Sequence, residues 1–351
     1  MKKWLQYSCL IALIPLFCIA KKGKFNLEGG FDFYYVNNFK DFNNKLSSDF
    51  LFNHARQNDF TINFAYLKAS YNGSDFRFNF GGMFGNYVQF NLDKEPYPYK
   101  YFYEANFGFR LINKFWVMGG IIPSHIGAEQ VLSRDNFTLT RSLCAENSPY
   151  YELGIRFSYE PNERWLIAAF VLNGWQKLKL SRDYSMPSFG TQIKYQLLDY
   201  ITINHSSFIG TASPDSAFTY RFFSNLYAQF NFKKRISLYI GFDYGWQQQS
   251  KGNSKYFTWY TPYFVVKYGV TKKFFLIGRY ENFYDPNNVV TPVGTPYLVK
   301  GYSGGIELKP FKFLSLRSEL KYYDSSEALF EQNEIKANQR LILTSSLIFA
   351  F

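Results

Sequence analysis

Along most of this chain apolar and polar side chains alternate with a period of two. That spacing marks strands with one face in apolar surroundings and the other in a polar setting. Phe25, Leu27, Phe31 and Phe33 fall on one face of the first such segment, with Asn26, Glu28, Asp32 and Tyr34 on the other. Phe60, Ile62 and Phe64 likewise oppose Asp59, Thr61 and Asn63. Around YNGS, whose Asn72 and Gly73 suit a tight hairpin turn, the chain reverses into Phe76, Phe78 and Phe80 against Asp75, Arg77 and Asn79. In the final stretch, LTSSLIFAF, Leu343, Leu347, Phe349 and Phe351 share one face, opposite Thr344, Ser346, Ile348 and Ala350.

This pattern predicts sixteen strands, at 24–36, 58–71, 74–84, 101–111, 114–123, 149–160, 164–174, 187–196, 199–210, 217–232, 236–247, 256–268, 273–283, 300–309, 312–322 and 338–351. Their connections alternate in length. YNGS, LINK, EPNER, LLD, KKR, TKK and PFK are short, whereas 37–57, 85–100, 124–148 and 284–299 are long. An even strand number, with both termini at the short-turn end, describes a closed antiparallel β-barrel of the bacterial outer membrane. Backbone polar groups in lipid must all be paired, so a strand architecture there has to close on itself. Phe351 is then expected at the lipid boundary on the periplasmic side, at the same end as residues 21–24. No repeat, linker or low-complexity block divides the chain, so residues 21–351 are expected to form one all-β transmembrane domain.

The composition agrees. Phe, Tyr and Trp make up 22% of the residues, with 40 Phe and 30 Tyr, which suits rings shown to lipid and gathered in two interfacial girdles. The mean hydropathy of −0.25 fits strands that are only half apolar. Lys2 and Lys3, an apolar run from Cys9 to Ala20, then Lys21 and Lys22, with Cys18 and Ala20 before the cleavage point, predict a signal peptide over residues 1–20. Bulky Phe17 argues against a lipoprotein reading of Cys18. Cys144 is then the single cysteine of the exported chain, which leaves no intramolecular disulfide and suggests a small packed side chain.

With Lys2 and Lys3 set aside, 37 basic residues face 27 acidic ones. Location matters more than the total. The inward parity holds Arg77, Arg110, Arg156, Lys194, Arg221, Lys267, Arg317 and Lys321, countered by Glu28, Asp32, Asp59, Asp75, Glu104, Glu152, Asp243, Glu307 and Glu319. A lumen so balanced predicts weak ion selectivity. The surplus collects at the short-turn end, in Lys21, Lys22, Lys24, Lys114, Arg164, Lys233, Lys234, Arg235, Lys272, Lys273 and Lys312, where anionic headgroups of the inner leaflet are the expected contact. Nucleic acid is a poor fit for an exported barrel.

The stretch 118–176 contains PSHIGAE, SRDN, TRSL, AENSPYYE and LNGWQ in that order, with EANFGFRL just before it, and it resembles the OmpL-like β-barrel porins of the outer membrane. The resemblance implies a passive pore. Its terminal aromatic residue is similar to the signal that the barrel-assembly machinery reads.

A hydrolase centre would need a nucleophile, a base and an orienter, for which Ser124, His125, Ser142 and Glu146 are the candidates. Adjacent strand residues point to opposite faces, so Ser124 and His125 are not expected to couple, though a contact of His125 with Ser142 or Glu146 is open. His54, His125 and His205 are too dispersed for an expected metal site, and no nucleotide-binding glycine motif or other cofactor signature is present. The reading is a diffusion channel for small polar solutes, possible as a homo-oligomer, and not an enzyme. A closed barrel whose loops serve as an adhesin or docking surface is the alternative, and an outer-membrane hydrolase comes third. The 25 residues of 124–148 form the longest connection. Ile126, Val131, Leu132, Phe137, Leu139 and Leu143 make it too apolar for a solvated tether. It is expected to fold into the barrel mouth and set the narrowest opening, with Arg134, Asp135, Arg141 and Glu146 facing the solute path.

Overall fold

The computed structural model describes residues 23–40, 46, 50–180, 182–211, 213–232, 235–291, 293–332 and 335–351. The expected signal peptide, Lys21, Lys22, Lys233 and Lys234 lie outside the described residues. In chain order the strands are β1 (Gly23–Asn38), β2 (Phe60–Gly73), β3 (Phe76–Phe84), β4 (Phe102–Ile112), β5 (Phe115–Pro123), β6 (Tyr151–Tyr159), β7 (Trp165–Leu172), β8 (Ser188–Leu198) and β9 (Ile201–Thr211). They continue with β10 (Tyr220–Phe232), β11 (Ile236–Gln248), β12 (Tyr256–Gly269), β13 (Phe274–Asp285), β14 (Tyr297–Phe311), β15 (Leu314–Ser325), β16 (Phe330–Gln332), β17 (Ile335–Ala337) and β18 (Gln339–Ala350). Two short helices, α1 (Asn86–Asn91) and α2 (Leu143–Glu146), interrupt long connections.

Sixteen of these strands close into one antiparallel barrel, each bonded to its neighbours in chain order, while β16 and β17 form a small separate hairpin between β15 and β18. The barrel shuts where β1 meets β18, in the register Gly30↔Ala350 to Asn38↔Ile342. Backbone bonds between Gly29 and Phe351 extend that seam, so Gly23 and Phe351 lie at the same end. Barrel-strand ends fall within three residues of the sequence-predicted ones. The β16–β17 hairpin and both short helices carry no period-two signal long enough to read.

Outward positions are apolar: Leu27 is 54% exposed, Phe80 58% and Phe351 59%. Rings pair across neighbouring strands near both ends, as in Trp165 on Tyr195 at 4.0 Å and Tyr260 on Tyr284 at 4.7 Å. These are the girdles in which an apolar ring body carries a polar tip into the headgroup layer.

Two expectations need correction. Asp32 pairs with Phe64 and Phe33 with Ile62, so Asn63 is the extra residue of a β-bulge. The bulge reverses parity along β2: Phe60 stays outward, 69% exposed, whereas Phe64 turns into the lumen, 2% exposed. The β2–β3 turn also lies beyond Asn72 and Gly73. Asn72 pairs with Arg77, which puts Ser74 and Asp75 at the bend, because the register that keeps Phe76, Phe78 and Phe80 toward lipid has priority over local turn preference.

Candidate functional site

The connection from Ser124 to Tyr150 turns inward and crosses the barrel. Its start is shaped locally: Ser124 Oγ accepts from the Ile126 amide at 3.1 Å, and Gly127 takes a positive φ of 87° that a side chain would strain. Ser142 caps α2 by accepting from Ala145 N at 3.2 Å. Glu129 Oε2 in turn accepts from Ser142 N at 2.8 Å and from its hydroxyl at 2.7 Å.

The opposite wall satisfies much of the segment's buried backbone. Arg317 on β15 donates to the carbonyls of Ser133 at 2.6 Å and Asn136 at 3.1 Å. Arg279 on β13 donates to Thr138 Oγ1 at 3.0 Å, Thr140 O at 2.8 Å and Glu319 at 2.7 Å. Glu319 accepts from Thr140 N at 2.7 Å, Glu281 from Leu143 N at 2.6 Å, and Lys321 donates to Arg141 O at 2.8 Å. Asp243 on β11 accepts from Cys144 Sγ at 2.7 Å. Charged partners make stronger bonds than neutral ones, so the segment is held as a fixed internal structure. Its apolar side chains fill the space between: Ile126, Leu139 and Leu143 are buried, and Phe137 stacks on Tyr239 at 4.3 Å.

His125 anchors the segment's first turn. Its Nδ1 faces Glu152 at 2.9 Å and its Nε2 the carbonyl of Ser207 at 2.9 Å. Both neighbours are acceptors, so only the doubly protonated ring satisfies both. Burial, the largest influence, opposes that charge, but the Glu152 carboxylate and the two hydrogen bonds outweigh it and raise the His125 pKa. A Cβ on Gly190 would come within 2.6 Å of Nε2, which is why a glycine faces the ring. Ser124 bonds the same Glu152 at 3.3 Å. His125 therefore does not reach Ser142 or Glu146: its two nitrogens are spent on β6 and β9.

The other sequence-predicted residues divide by depth. Arg134 pairs with Asp135 at 3.0 Å, both partly exposed. Arg141 and Glu146 are buried. Arg141 stacks at 3.6 Å over the ring of Tyr150, while Glu146 accepts from the amides of Phe52 at 2.8 Å and Asn53 at 3.3 Å. Burial pushes the Glu146 carboxyl above its ordinary value, with the Arg141 charge opposing. Among the strand charges, Lys68 bridges Glu28 and Glu104, Arg77 pairs with Glu160, and Glu307 meets both Lys267 and Arg317. Arg156 lies half-buried near that Arg77–Glu160 pair. Arg221 bonds Gln247 at 2.8 Å, and Lys194 is exposed.

Arg110 with Asp75, and Asp59 with Arg56, sit at the two rims in exposed pairs, not in the lumen, because each acid lies just outside its strand. Sequence reasoning passed over Arg279, Glu281, Lys68 and Glu129. The first two do alternate with Tyr280 and Asn282, a signal that the aromatic-rich 274–285 run obscures.

Two cavities flank the segment. A vestibule of about 1240 Å³ opens at the long-loop end, lined by Trp175, Lys94, Lys177, Lys179, Arg182 and Glu146 among others. A cavity of about 30 Å³ lies between the segment and the β3–β6 wall, bounded by Tyr87, Tyr103, Ser124, Arg141, Tyr150 and Tyr151 among others.

The model of the family described as "Putative beta-barrel porin-2, OmpL-like" matches residues 24–351. The chain belongs to that family. Solved outer-membrane channels share the fold of this OmpL-like porin at low identity. An anion-selective porin from Comamonas acidovorans is 10% identical, with 94% of this chain and 100% of that one covered at a TM-score of 0.63. The outer membrane channel DcaP of Acinetobacter baumannii is 8% identical, with 94% and 98% covered and a TM-score of 0.62. OprB of Pseudomonas putida is 9% identical, with 96% of each chain covered and a TM-score of 0.58. No curated protein matches in sequence. The motif block of 118–176 is the inward segment with the end of β5 before it and β6 and β7 after it.

Proposed function

We propose that this OmpL-like porin is a non-enzymatic channel of the bacterial outer membrane, passing small polar solutes by diffusion, with the 124–150 segment setting its narrowest part. The observation that carries this is the 30 Å³ cavity left between that segment and the β3–β6 wall, beneath a vestibule some forty times larger. On this reading the path would lead from the vestibule, which Glu146 lines, to the cavity at Arg141 and on to the Arg134–Asp135 pair. Channel selectivity of this kind rests on pore width and lining charge.

Mature protein would start after the signal peptide and be placed by the barrel-assembly machinery. Its short turns, with Lys114, Arg164, Arg235, Lys272, Lys273 and Lys312, would touch anionic headgroups. A homo-oligomer fits this reading, since one similar structure is the trimer form of OmpT of Vibrio cholerae.

A second reading draws on the same small cavity: a lumen shut by the segment, with the outer loops serving as a docking surface. Conductance of the refolded protein in a planar bilayer separates the two. The channel reading expects discrete openings, and a severalfold rise in conductance on deleting residues 130–143 from a barrel that still folds. A folded deletion variant with unchanged conductance places the constriction elsewhere. A folded wild type without conductance favours the docking surface.

A further inference from the structure

Among the described residues, Arg141 is the arginine with two buried guanidinium nitrogens that lack a partner. It is 4% exposed, yet its Nε and Nη1 have no hydrogen-bond partner among the described residues. Those two nitrogens carry three N–H groups. The remaining nitrogen, Nη2, makes only long bonds, to Glu129 O at 3.4 Å and Ala145 O at 3.5 Å. Arg279 and Arg317, equally buried, are each tied to a carboxylate at close range. The three acids of Arg141's own segment are already engaged: Glu129 with Ser142, Asp135 with Arg134, and Glu146 with the Phe52 and Asn53 amides.

An arginine does not escape this cost by losing its proton. Buried donors without an acceptor are destabilising, and a buried unpaired charge more so. The stack on Tyr150 offsets part of the cost through the ring's negative face, but it supplies no acceptor for the N–H groups. The guanidinium lines the 30 Å³ cavity together with Tyr87, Tyr103 and Glu129; a phenol hydroxyl can donate to an anion, and the Glu129 carboxylate is already held by Ser142. A space of this size holds about two waters, or one small anion.

We propose that Arg141 is an anion-binding group in the narrow part of the lumen, and that the solutes of the channel are small anions of the halide and carboxylate class. This rests on the channel reading above and names its substrate. The vestibule adds a small surplus of the same sign, with Lys94, Lys177, Lys179 and Arg182 against Asp93, Glu95 and Glu146 at its lining, which favours anions before the narrow part. Summed over the strands, the charges cancel and lead to weak selectivity. Pairing changes the outcome, since a charge already neutralised at contact distance attracts little, whereas an unpaired one facing the path acts on every ion that passes.

Two measurements test it. In a tenfold KCl gradient across a planar bilayer, the reversal potential of the wild-type barrel should show chloride preferred over potassium. Arg141→Gln should reduce the permeability ratio roughly tenfold, the scale of one lost charge-assisted bond, while Arg141→Lys keeps the anion preference in weaker form. Crystals of the wild-type protein soaked in sodium bromide should show anomalous density beside Nε or Nη1 of Arg141. A conducting wild type without anion preference, or a folded Arg141→Gln barrel with the wild-type ratio, overturns the proposal. So does a soaked crystal without bromide at Arg141, and this arm stands even if the Gln variant fails to fold. A folded wild type that does not conduct at all counts instead against the channel reading, and bromide at Arg141 would then still support the anion site.

Discussion

Arg279→Met removes the cation on which three carboxylates converge. Its guanidinium lies 2.7 Å from Glu319, 3.6 Å from Glu281 and 3.6 Å from Glu129, and it is fully buried. It also donates to Thr138 Oγ1, Thr140 O and Thr140 Oγ1 at 2.8 to 3.0 Å. Methionine fills much of the volume but leaves the three acids without this cation and the Thr140 carbonyl with only the Thr138 hydroxyl as donor. Breaking a buried pair from one side costs about 3–5 kcal/mol, which is a factor of about one hundred to a few thousand in an equilibrium. The barrel's strand pairing does not depend on this contact, so the cost falls on the docking of the 124–150 segment.

Trypsin reads that docking, because Arg134 and Arg141 can be cut only when the segment leaves the wall. Where reclosing outpaces cleavage, the cutting rate follows the open population. Cleavage at these two sites should therefore rise about a hundredfold or more in Arg279→Met. Adding Glu319→Gln should recover part of the loss, since removing both partners is less costly than removing one. A folded Arg279→Met barrel cut within tenfold of the wild-type rate would refute the view that this cluster holds the segment.

Two further outcomes follow from the same anchors. The His125 pKa is raised in the folded protein, so its bond to Glu152 contributes fully below the unfolded value of about 6.5 and is lost as pH climbs through the raised one. Tryptic cutting of the wild-type segment, measured relative to His125→Gln, should increase from pH 6.5 to pH 9, and a constant ratio would sink the argument. Cys144 is buried and its thiol donates to Asp243, while burial, with Asp243 beside it, pushes its pKa well up. Maleimide should label it only after unfolding in detergent, and stoichiometric labelling of the native barrel at pH 7.5 would contradict the buried placement.

Much of the fold was legible because a strand's period, the length of a turn and the parity of termini are local properties of the chain. The candidate site was legible only in part. Its location in 124–148 followed from length and apolar content, and Arg134, Asp135, Arg141 and Glu146 were all found within it. Their roles were not, because buried charge is governed by partners far away in sequence: Thr140 meets Glu319 across 179 positions, and Ser133 meets Arg317 across 184.

By itself, then, the sequence determined a closed sixteen-stranded barrel, its lipid-facing aromatic surface and the end at which the long loops gather, since alternation leaves each of these little freedom. Only the tertiary structure decided which way Phe64 points, because one unpaired residue at Asn63 reverses every side chain beyond it. It also decided which charges cancel. Parity counts Lys267, Arg317 and Glu307 alike as lumen charges, yet closure brings these three into contact and leaves Nε and Nη1 of Arg141 without a partner. Parity assigns a face but not a depth or a partner, and at contact distance the partner determines whether a charge remains available to a solute.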